Sequence, residues 1–252
     1  MTHTIKRPSF RMHITEAYRA MLDYKKSVDF LKSFKSYEKG DGHPVLVIPG
    51  FMGSNTSTRR LRKFIKKLGY LPYDWGLGRN YADLEDLETL INRIDKIYDK
   101  HQVKITLIGW SLGGVYAREL SKQRPNFIRQ VITLGSPFAG ITEPNNASWL
   151  YEMMKGKSVH SLDPKWLEGL PQPAPIPTTA VYSKEDGVVA WEVCMECRED
   201  ELHQNVEIKG SHTGLVNNAS SWFLIADRLK YREDNWKHFT YSGALDEFVD
   251  FP

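Results

Sequence analysis

The 252-residue sequence has little cysteine and no long hydrophobic run. Two cysteines are too few for a disulfide framework. No stretch approaches the roughly 18 consecutive apolar residues of a membrane-spanning helix. The first residues contain no apolar segment of the kind found in secretory signals, so we expect a cytoplasmic protein. Charged residues make up 26% of the chain and hydrophobic residues 41%, which excludes disordered and fibrous classes and favours one globular domain, alone or with a lid.

The two cysteines, Cys194 and Cys197, form a C-x-x-C pattern. The pattern has no second pair of ligands for zinc, and it does not lie at the strand-to-helix turn where redox motifs are found. We therefore expect two free, partly buried thiols. The sequence predicts neither a metal nor a cofactor.

Positive charge is concentrated near the N-terminus, where residues 1–40 hold nine Lys and Arg against four Asp and Glu. A second basic cluster falls within residues 59–67. No nucleic-acid-binding motif accompanies these charges, so nucleic acid is not an expected partner. The simplest interpretation of the second cluster is a helix with one buried stripe and one solvated basic face. Peripheral contact between the basic N-terminal helix and an anionic membrane stays open as an alternative.

Residues 14–36 predict one amphipathic helix, packed outside the main sheet. Its apolar positions are Ile14, Tyr18, Met21, Leu22, Val28, Leu31 and Phe34.

Beyond residue 44, apolar runs alternate with helical patterns. Strands are predicted at residues 45–48, 71–74, 103–108, 128–134, 178–182 and 205–208, and helices at 57–68, 83–100, 114–120 and 215–230. The alternation predicts an α/β fold with a mostly parallel, doubly wound sheet of about six strands. We expect a helical extension at 1–40, a core at 41–235 with a lid insertion at about 137–176, and a tail at 236–252.

The most informative segment is residues 109–113, Gly-Trp-Ser-Leu-Gly. It lies between a predicted buried strand and a predicted helix that ends before Pro125. A serine on a sharp strand-to-helix turn is typical of the nucleophile of a serine hydrolase. The flanking glycines allow the strained backbone to pass close to its neighbours. Ser111 is therefore the candidate nucleophile.

A serine hydroxyl needs a base to take its proton, and that base needs an acid to hold it in one tautomer. In this architecture the acid and then the histidine follow the serine along the chain. Only His212 and His238 lie beyond the last predicted strand, and His212, in the loop just after it, is the candidate base. Four histidines precede the serine and are expected to face solvent: His3, His13, His43 and His101. His160 and His203 fall in the lid and before the last strand.

Asp186 is the candidate acid because it directly follows the strand at 178–182, next to the loop of His212. Glu185 is adjacent and expected to point elsewhere, and Asp163 in the lid is a more distant candidate. A lone loop aspartate is more often a turn former, but the full set in this order favours the catalytic interpretation.

The oxyanion of an acyl-transfer intermediate needs two backbone N–H donors. We expect one from Leu112, the residue after the nucleophile, and one from Phe51 in the glycine-containing loop that follows the first core strand. The alternative is that this loop has no donor role.

These motifs resemble the α/β-hydrolase superfamily, above all its lipase and esterase branch, which includes lipase-like and GPI-inositol-deacylase-like proteins. The resemblance rests on Gly-x-Ser-x-Gly, on Gly-Val-Val after Asp186 and on Gly-Ser before His212, and it spans about residues 44–230. It implies an α/β-hydrolase fold. Many relatives have His-Gly where this chain has Pro49-Gly50, and the usual leading antiparallel strands are missing, so we expect a reduced sheet preceded by a helix.

Apolar residues of the lid, the nucleophile turn and the oxyanion loop are the only indication of the substrate. We expect contacts to an apolar acyl chain from Met52, Trp110, Phe138, Trp149 and Met153. The lid residues could instead pack the lid onto the domain. The expected substrate is a small-molecule or lipid carboxylic ester, cleaved through an acyl-enzyme on Ser111. Acyl transfer, thioester cleavage and non-catalytic ligand binding on the same scaffold stay open, and the sequence does not indicate an oligomeric state.

Overall fold

Six parallel strands form one sheet: β1 (Pro44–Ile48), β2 (Leu71–Asp74), β3 (Ile105–Trp110), β4 (Ile128–Leu134), β5 (Thr178–Tyr182) and β6 (His203–Glu207). Helices α1 (Phe10–Ile14) and α2 (Glu16–Ser33) precede the sheet. Helices α3 (Arg59–Lys67), α4 (Glu85–His101) and α5 (Leu112–Gln123) connect its strands, and α6 (Ala219–Leu229) follows β6. The computed structural model describes residues 5–34, 39–83, 85–140, 168–232, 234–241, 249 and 251. The predicted parallel α/β sheet of about six strands is confirmed.

The strand order is β2-β1-β3-β4-β5-β6, so the chain reverses its direction of travel across the sheet at β1. It passes from β1 to β2 on one side and then through α4 to β3 on the other. Ligands of open α/β sheets bind outside the carboxyl ends of the strands at such a reversal. The loop after β1 and the turn after β3 therefore meet where a substrate would be expected.

Helices cover both faces of the sheet. On one face α4 and α5 bury Ile94, Tyr116 and their neighbours against the strands. On the other, α3 and α6 meet at Phe64 and Trp222, whose rings stack with centroids 5.0 Å apart. Each such side chain, fully buried, contributes roughly 1.5–3 kcal/mol to folding, which gives the strand ends a rigid base.

Two strands differ from the prediction in their bounds. The predicted strand at 103–108 lies at Ile105–Trp110, and the one at 205–208 lies at His203–Glu207. Gly109 and Trp110 continue the strand because they pair with residues of β4, a tertiary constraint that local propensity does not contain.

The N-terminal segment forms two helices, broken at Thr15. The first half of α2 buries a different face from the one we expected. The prediction that its apolar residues pack inward is wrong for Ile14, Tyr18 and Met21, which are exposed by 54–62%. Glu16 and Asp23 are buried instead. The surface beneath consists of loops, and the backbone N–H groups of Gly187, Ser211 and Thr213 need acceptors there, which carboxylates supply and methyl groups do not. The second half of α2 packs inward, with Phe30 buried in the core and with Leu31 and Phe34, which we expected on this face, partly buried against it.

The expectation that His43 faces solvent is wrong. Its side chain is buried just before β1, where Nδ1 lies 2.6 Å from Asp41 Oδ1 and Nε2 lies 2.9 Å from Thr106 Oγ1. Partners on both ring nitrogens satisfy the buried imidazole, so it has a structural role at the amino end of the sheet.

Most of the predicted lid lies outside the described residues, and the boundaries of the extension, lid and tail stay predictions. The described part of the tail packs on α6, where Phe239 and Tyr241 contact Phe223. Within the described ranges, no helix combines the length and the apolar composition needed to cross a membrane.

Candidate functional site

Ser111 occupies a strained turn between β3 and α5. Its backbone dihedrals are φ 53° and ψ −125°, outside the usual regions for a non-glycine residue. Gly109 lies against the carbonyl of Gly113, and Gly113 lies against the carbonyl of Ile48, so a Cβ at either glycine would clash with backbone. The Ser111 N–H donates to the Leu134 carbonyl at 2.8 Å. The neighbouring strands thus hold the strained serine in place.

His212 and Asp186 meet Ser111 at the carboxyl end of the sheet. Nε2 of His212 lies 3.0 Å from Ser111 Oγ, and Nδ1 lies 2.6 Å from Asp186 Oδ2. The other carboxylate oxygen of Asp186 accepts from the N–H groups of Val188 at 2.8 Å and Val189 at 2.7 Å. These bonds orient Asp186 so that Oδ2 faces the imidazole. Asp186, rather than Glu185, is the carboxylate that the structure brings to His212.

The three residues are shielded from solvent, since each is at most 4% exposed. Burial lowers the pKa of His212, but the charge and hydrogen bond of Asp186 and the charge of Glu16 outweigh it, so the pKa lies above the usual histidine value. The site therefore favours the imidazolium, the form that His212 would take after accepting the serine proton.

The loop after β1, which contains Phe51, passes beside the same turn, and Leu112 is the first residue of α5. Gly50 packs against Ser111, where an added Cβ would lie 2.9 Å from the serine Cβ. In the residue after Phe51, the N–H of Met52 donates to the Asn80 carbonyl at 2.7 Å. Among the described residues no acceptor is found for the N–H groups of Phe51 and Leu112, which suits them to a substrate oxygen.

Asn80 is a support for this loop that the sequence did not suggest. It is fully buried, its Nδ2 donates to the Pro49 carbonyl at 2.8 Å, and its own N–H donates to the Gly53 carbonyl at 2.8 Å. With the bond from Met52, it fixes both sides of the loop. The only available signal was its place after β2, the strand next to β1.

Gly135 is a second residue that the sequence did not suggest. It follows β4 with φ 56°, and a Cβ here would lie 2.7 Å from Leu215 Cδ1 and 3.3 Å from His212 Nδ1. The position packs directly against the hydrogen bond between His212 and Asp186. The sequence signal that could have indicated this residue is a glycine directly after a predicted central strand.

The predicted substrate-contacting residues have different environments. Trp110 donates its indole N–H to the His212 carbonyl at 3.0 Å, and Met52 is 47% exposed with φ 56°. Phe138 is buried in the core, with the Arg118 guanidinium 3.8 Å above its ring. Trp149 and Met153 lie outside the described residues, as do the alternatives His160 and Asp163.

Comparisons with known proteins identify the family and the fold of the chain. The sequence profile of the alpha/beta hydrolase family matches residues 45–243. No match is found among curated proteins. Three similar solved structures are lipases by their titles. Aspergillus fumigatus lipase B has a TM-score of 0.58 and 16% identity over 79% of this chain and 56% of the other. Mature Bacillus licheniformis lipase BlEst2 has a TM-score of 0.56 and 17% identity, and the match covers 79% of this chain and 95% of the lipase. Paleococcus ferrophilus monoacylglycerol lipase has a TM-score of 0.53 and 15% identity, and the match covers 78% of this chain and 98% of the lipase.

The chain thus spans little more than half of the Aspergillus lipase and nearly all of the other two. At these identities the structural likeness establishes the fold. With the profile match over most of the sequence, it shows that the chain belongs to the alpha/beta hydrolase family.

Proposed function

We propose that this chain is a serine hydrolase that cleaves carboxylic esters with an apolar acyl group through an acyl-enzyme on Ser111. The observation that carries the proposal is the continuous chain of hydrogen bonds from Ser111 Oγ to His212 and on to Asp186, at 3.0 and 2.6 Å. A strained serine with a buried base and acid has the arrangement needed for nucleophilic catalysis.

In the acylation step, Ser111 Oγ attacks the ester carbonyl carbon while its proton passes to Nε2 of His212. Asp186 stabilises the resulting imidazolium. The N–H groups of Phe51 and Leu112 bind the oxyanion of the tetrahedral intermediate. The bond to the leaving alcohol then breaks, and the alcohol oxygen takes the proton from His212.

In the second step, water attacks the acyl carbon and gives its proton to His212. Collapse of this intermediate releases the carboxylic acid and returns the proton to Ser111 Oγ. An alcohol or thiol in place of water would make the protein an acyltransferase, and a thioester in place of the ester would make it a thioesterase. Adding alcohol or thiol acceptors to the assay separates transfer from hydrolysis.

An apolar acyl group is supported by the side chains around the turn and by the lipases that share the fold. Met52 is exposed within the candidate oxyanion loop, and its flexible thioether suits an irregular acyl chain. We propose that it contacts the substrate together with Trp110, Phe138, Trp149 and Met153. The substrate would be a small-molecule or lipid ester.

The test is hydrolysis of p-nitrophenyl esters of increasing chain length. We expect turnover by the wild-type protein with an optimum above acetate, and loss of turnover in Ser111→Ala with an unchanged circular dichroism spectrum. Ser33→Ala, at an exposed serine of α2, is the matched control and should behave as wild type. Turnover that survives in Ser111→Ala would overturn the mechanism. A folded protein without turnover would favour the non-catalytic binding alternative.

We also propose that α1 and α2 contact an anionic membrane surface through their outer face. This face exposes Phe10, Ile14, Tyr18 and Met21 by 54–77%, and the exposed Lys25 and Lys26 continue it along the helix. Exposed apolar side chains flanked by lysines suit the boundary between acyl chains and anionic headgroups.

Flotation with phosphatidylcholine vesicles, with and without phosphatidylserine, tests this contact. The wild-type protein should float with the anionic vesicles, and the triple variant Ile14→Ser, Tyr18→Ser, Met21→Ser should not. Equal flotation of the two proteins would contradict the proposal. Point substitutions are preferable to deletion of residues 1–40, because the opposite face of α2 bonds the loops of the candidate site.

A further inference from the structure

Glu16 bonds the two backbone N–H groups that directly follow the candidate acid and base. Its Oε1 accepts from the N–H of Thr213 at 2.7 Å, and its Oε2 accepts from the N–H of Gly187 at 3.3 Å. Thr213 is the residue after His212, and Gly187 is the residue after Asp186. One carboxylate on α2 therefore links the loop after β5 to the loop after β6.

The Glu16 carboxylate is itself held in place. Only 8% of the residue is exposed, and Arg19 donates from Nη2 to Oε2 at 2.9 Å. The other terminal nitrogen of Arg19 donates to the Glu185 carbonyl at 2.6 Å. Gly187 fits tightly beneath the helix, since an added Cβ would lie 2.7 Å from Glu16 Oε2. The contact is a packed, charge-assisted bridge, which is stronger than a neutral hydrogen bond.

A second buried carboxylate acts two helical turns later on the same face of α2. Asp23 Oδ2 accepts from the N–H of Ser211 at 3.0 Å and from its hydroxyl at 2.7 Å. The other oxygen, Oδ1, accepts from Asn218 Nδ2 at 3.0 Å. The residues before and after His212 are thus both bonded to α2, which lies outside the sheet.

We propose that Glu16 is a positioning residue for His212. Through the amides of Gly187 and Thr213 it holds the acid loop and the base loop at a fixed spacing, so that Nε2 of His212 stays within hydrogen-bond distance of Ser111 Oγ. This inference rests on the proposed serine-hydrolase function. It gives one face of α2, at Glu16, a role in holding the site together.

The pKa of His212 depends on the charges around it. Asp186 contacts the imidazole directly, and Glu16 acts on it from α2. The positive charge of Arg19 partly offsets the charge of Glu16 through their ion pair. His13 contacts the same loop as Glu16, with its Nδ1 2.9 Å from the Gly187 carbonyl. Since the charge of Glu16 raises the pKa of His212, its removal should lower that pKa, which a purely structural role would not do.

The test compares Glu16→Gln with the wild-type protein. Glutamine keeps the shape and one acceptor oxygen but removes the charge and the second acceptor. We expect kcat for a p-nitrophenyl ester to fall about tenfold, with KM within about twofold, because two charge-assisted bonds to the loops are weakened. The acid limb of the kcat/KM profile should move to lower pH. Asp29→Asn, at an exposed carboxylate on the same helix, is the matched control and should leave both unchanged.

Two measurements do not require activity. Amide hydrogen exchange at Gly187 and Thr213 should accelerate in Glu16→Gln but not in Asp29→Asn, and an NMR titration should show a lower pKa for His212. If the wild-type protein has no turnover, these measurements still test the bridge, so failure of the proposed function is distinguishable from failure of the inference. Unchanged exchange and an unchanged His212 titration in a folded Glu16→Gln variant would overturn the inference. Glutamine, rather than alanine, avoids a cavity under the helix.

Discussion

The indole N–H of Trp110 donates a hydrogen bond to the backbone carbonyl of His212 at 3.0 Å. Trp110 directly precedes the candidate nucleophile. Two adjacent residues therefore contact His212, since Trp110 bonds its backbone carbonyl and Ser111 bonds its imidazole ring. The two rings lie with centroids 6.2 Å apart. The tryptophan therefore supports the loop of His212, whatever contact it also makes with a substrate.

Trp110→Phe should lower kcat about two- to tenfold, because a partly buried neutral hydrogen bond contributes about 1 kcal/mol. This loss should already appear with a short p-nitrophenyl ester, since it acts through His212, and any further loss with longer esters would report the proposed contact of Trp110 with the acyl chain. Steady-state kinetics over the ester series separates the two contributions. A variant with wild-type kcat on the short ester would contradict the supporting role of Trp110.

Asn80→Ala should loosen the candidate oxyanion loop without touching the hydrogen bonds of Ser111, His212 and Asp186. Removing an oxyanion donor costs about 10²–10³ in kcat, and displacing one by loosening its loop should cost about tenfold. The base still titrates, so the acid limb of the pH profile should stay in place. A variant with full kcat would show that the Asn80 bonds do not position the donor.

The activity of the wild-type protein should fall as the pH is lowered through a pKa above the usual value for histidine. The reason is that His212 must be neutral to accept the serine proton, and Asp186 and Glu16 raise its pKa despite burial. The measurement is kcat/KM against pH, which reports the free protein. An acid limb at or below the usual histidine pKa would contradict this account of the site.

Gly135→Ala should destabilise the protein and reduce turnover together. Alanine is strained at φ 56°, and its Cβ would press on Leu215 and approach His212. Gly42→Ala is the matched control, because Gly42 has φ 78° with open space around it and so carries only the backbone cost, about 1 kcal/mol. We expect a larger fall in Tm for Gly135→Ala and a fall in kcat only there. Equal effects would show that the space beside His212 is not restrictive.

Much of the fold could be predicted because its signals are local. The runs that became β1, β2, β4 and β5 are apolar or bounded by turns, and their predicted positions agree with the structure to within one residue. Ser111, Asp186 and His212 could be proposed because each follows a different predicted strand, and parallel strands bring such positions to one edge.

The remaining features depend on contacts between distant segments. Glu16 and Asp23 interrupt an apolar helical pattern, and nothing local indicates that they face inward onto loops almost 200 residues away. Met52 has a positive φ in a loop whose shape is held by its bond to the Asn80 carbonyl. His43 is buried because Asp41 and Thr106 satisfy its ring. Sequence patterning finds apolar faces, whereas buried polar groups depend on partners that only the folded chain supplies.

The proposed mechanism claims that Ser111 is an activated nucleophile. To test this, the folded protein is incubated with a fluorophosphonate probe and the adduct is located by mass spectrometry. We expect one probe per chain, on Ser111, and no adduct in Ser111→Ala. The absence of an adduct in the folded wild-type protein, or equal labelling of the Ser111→Ala variant, would contradict the claim.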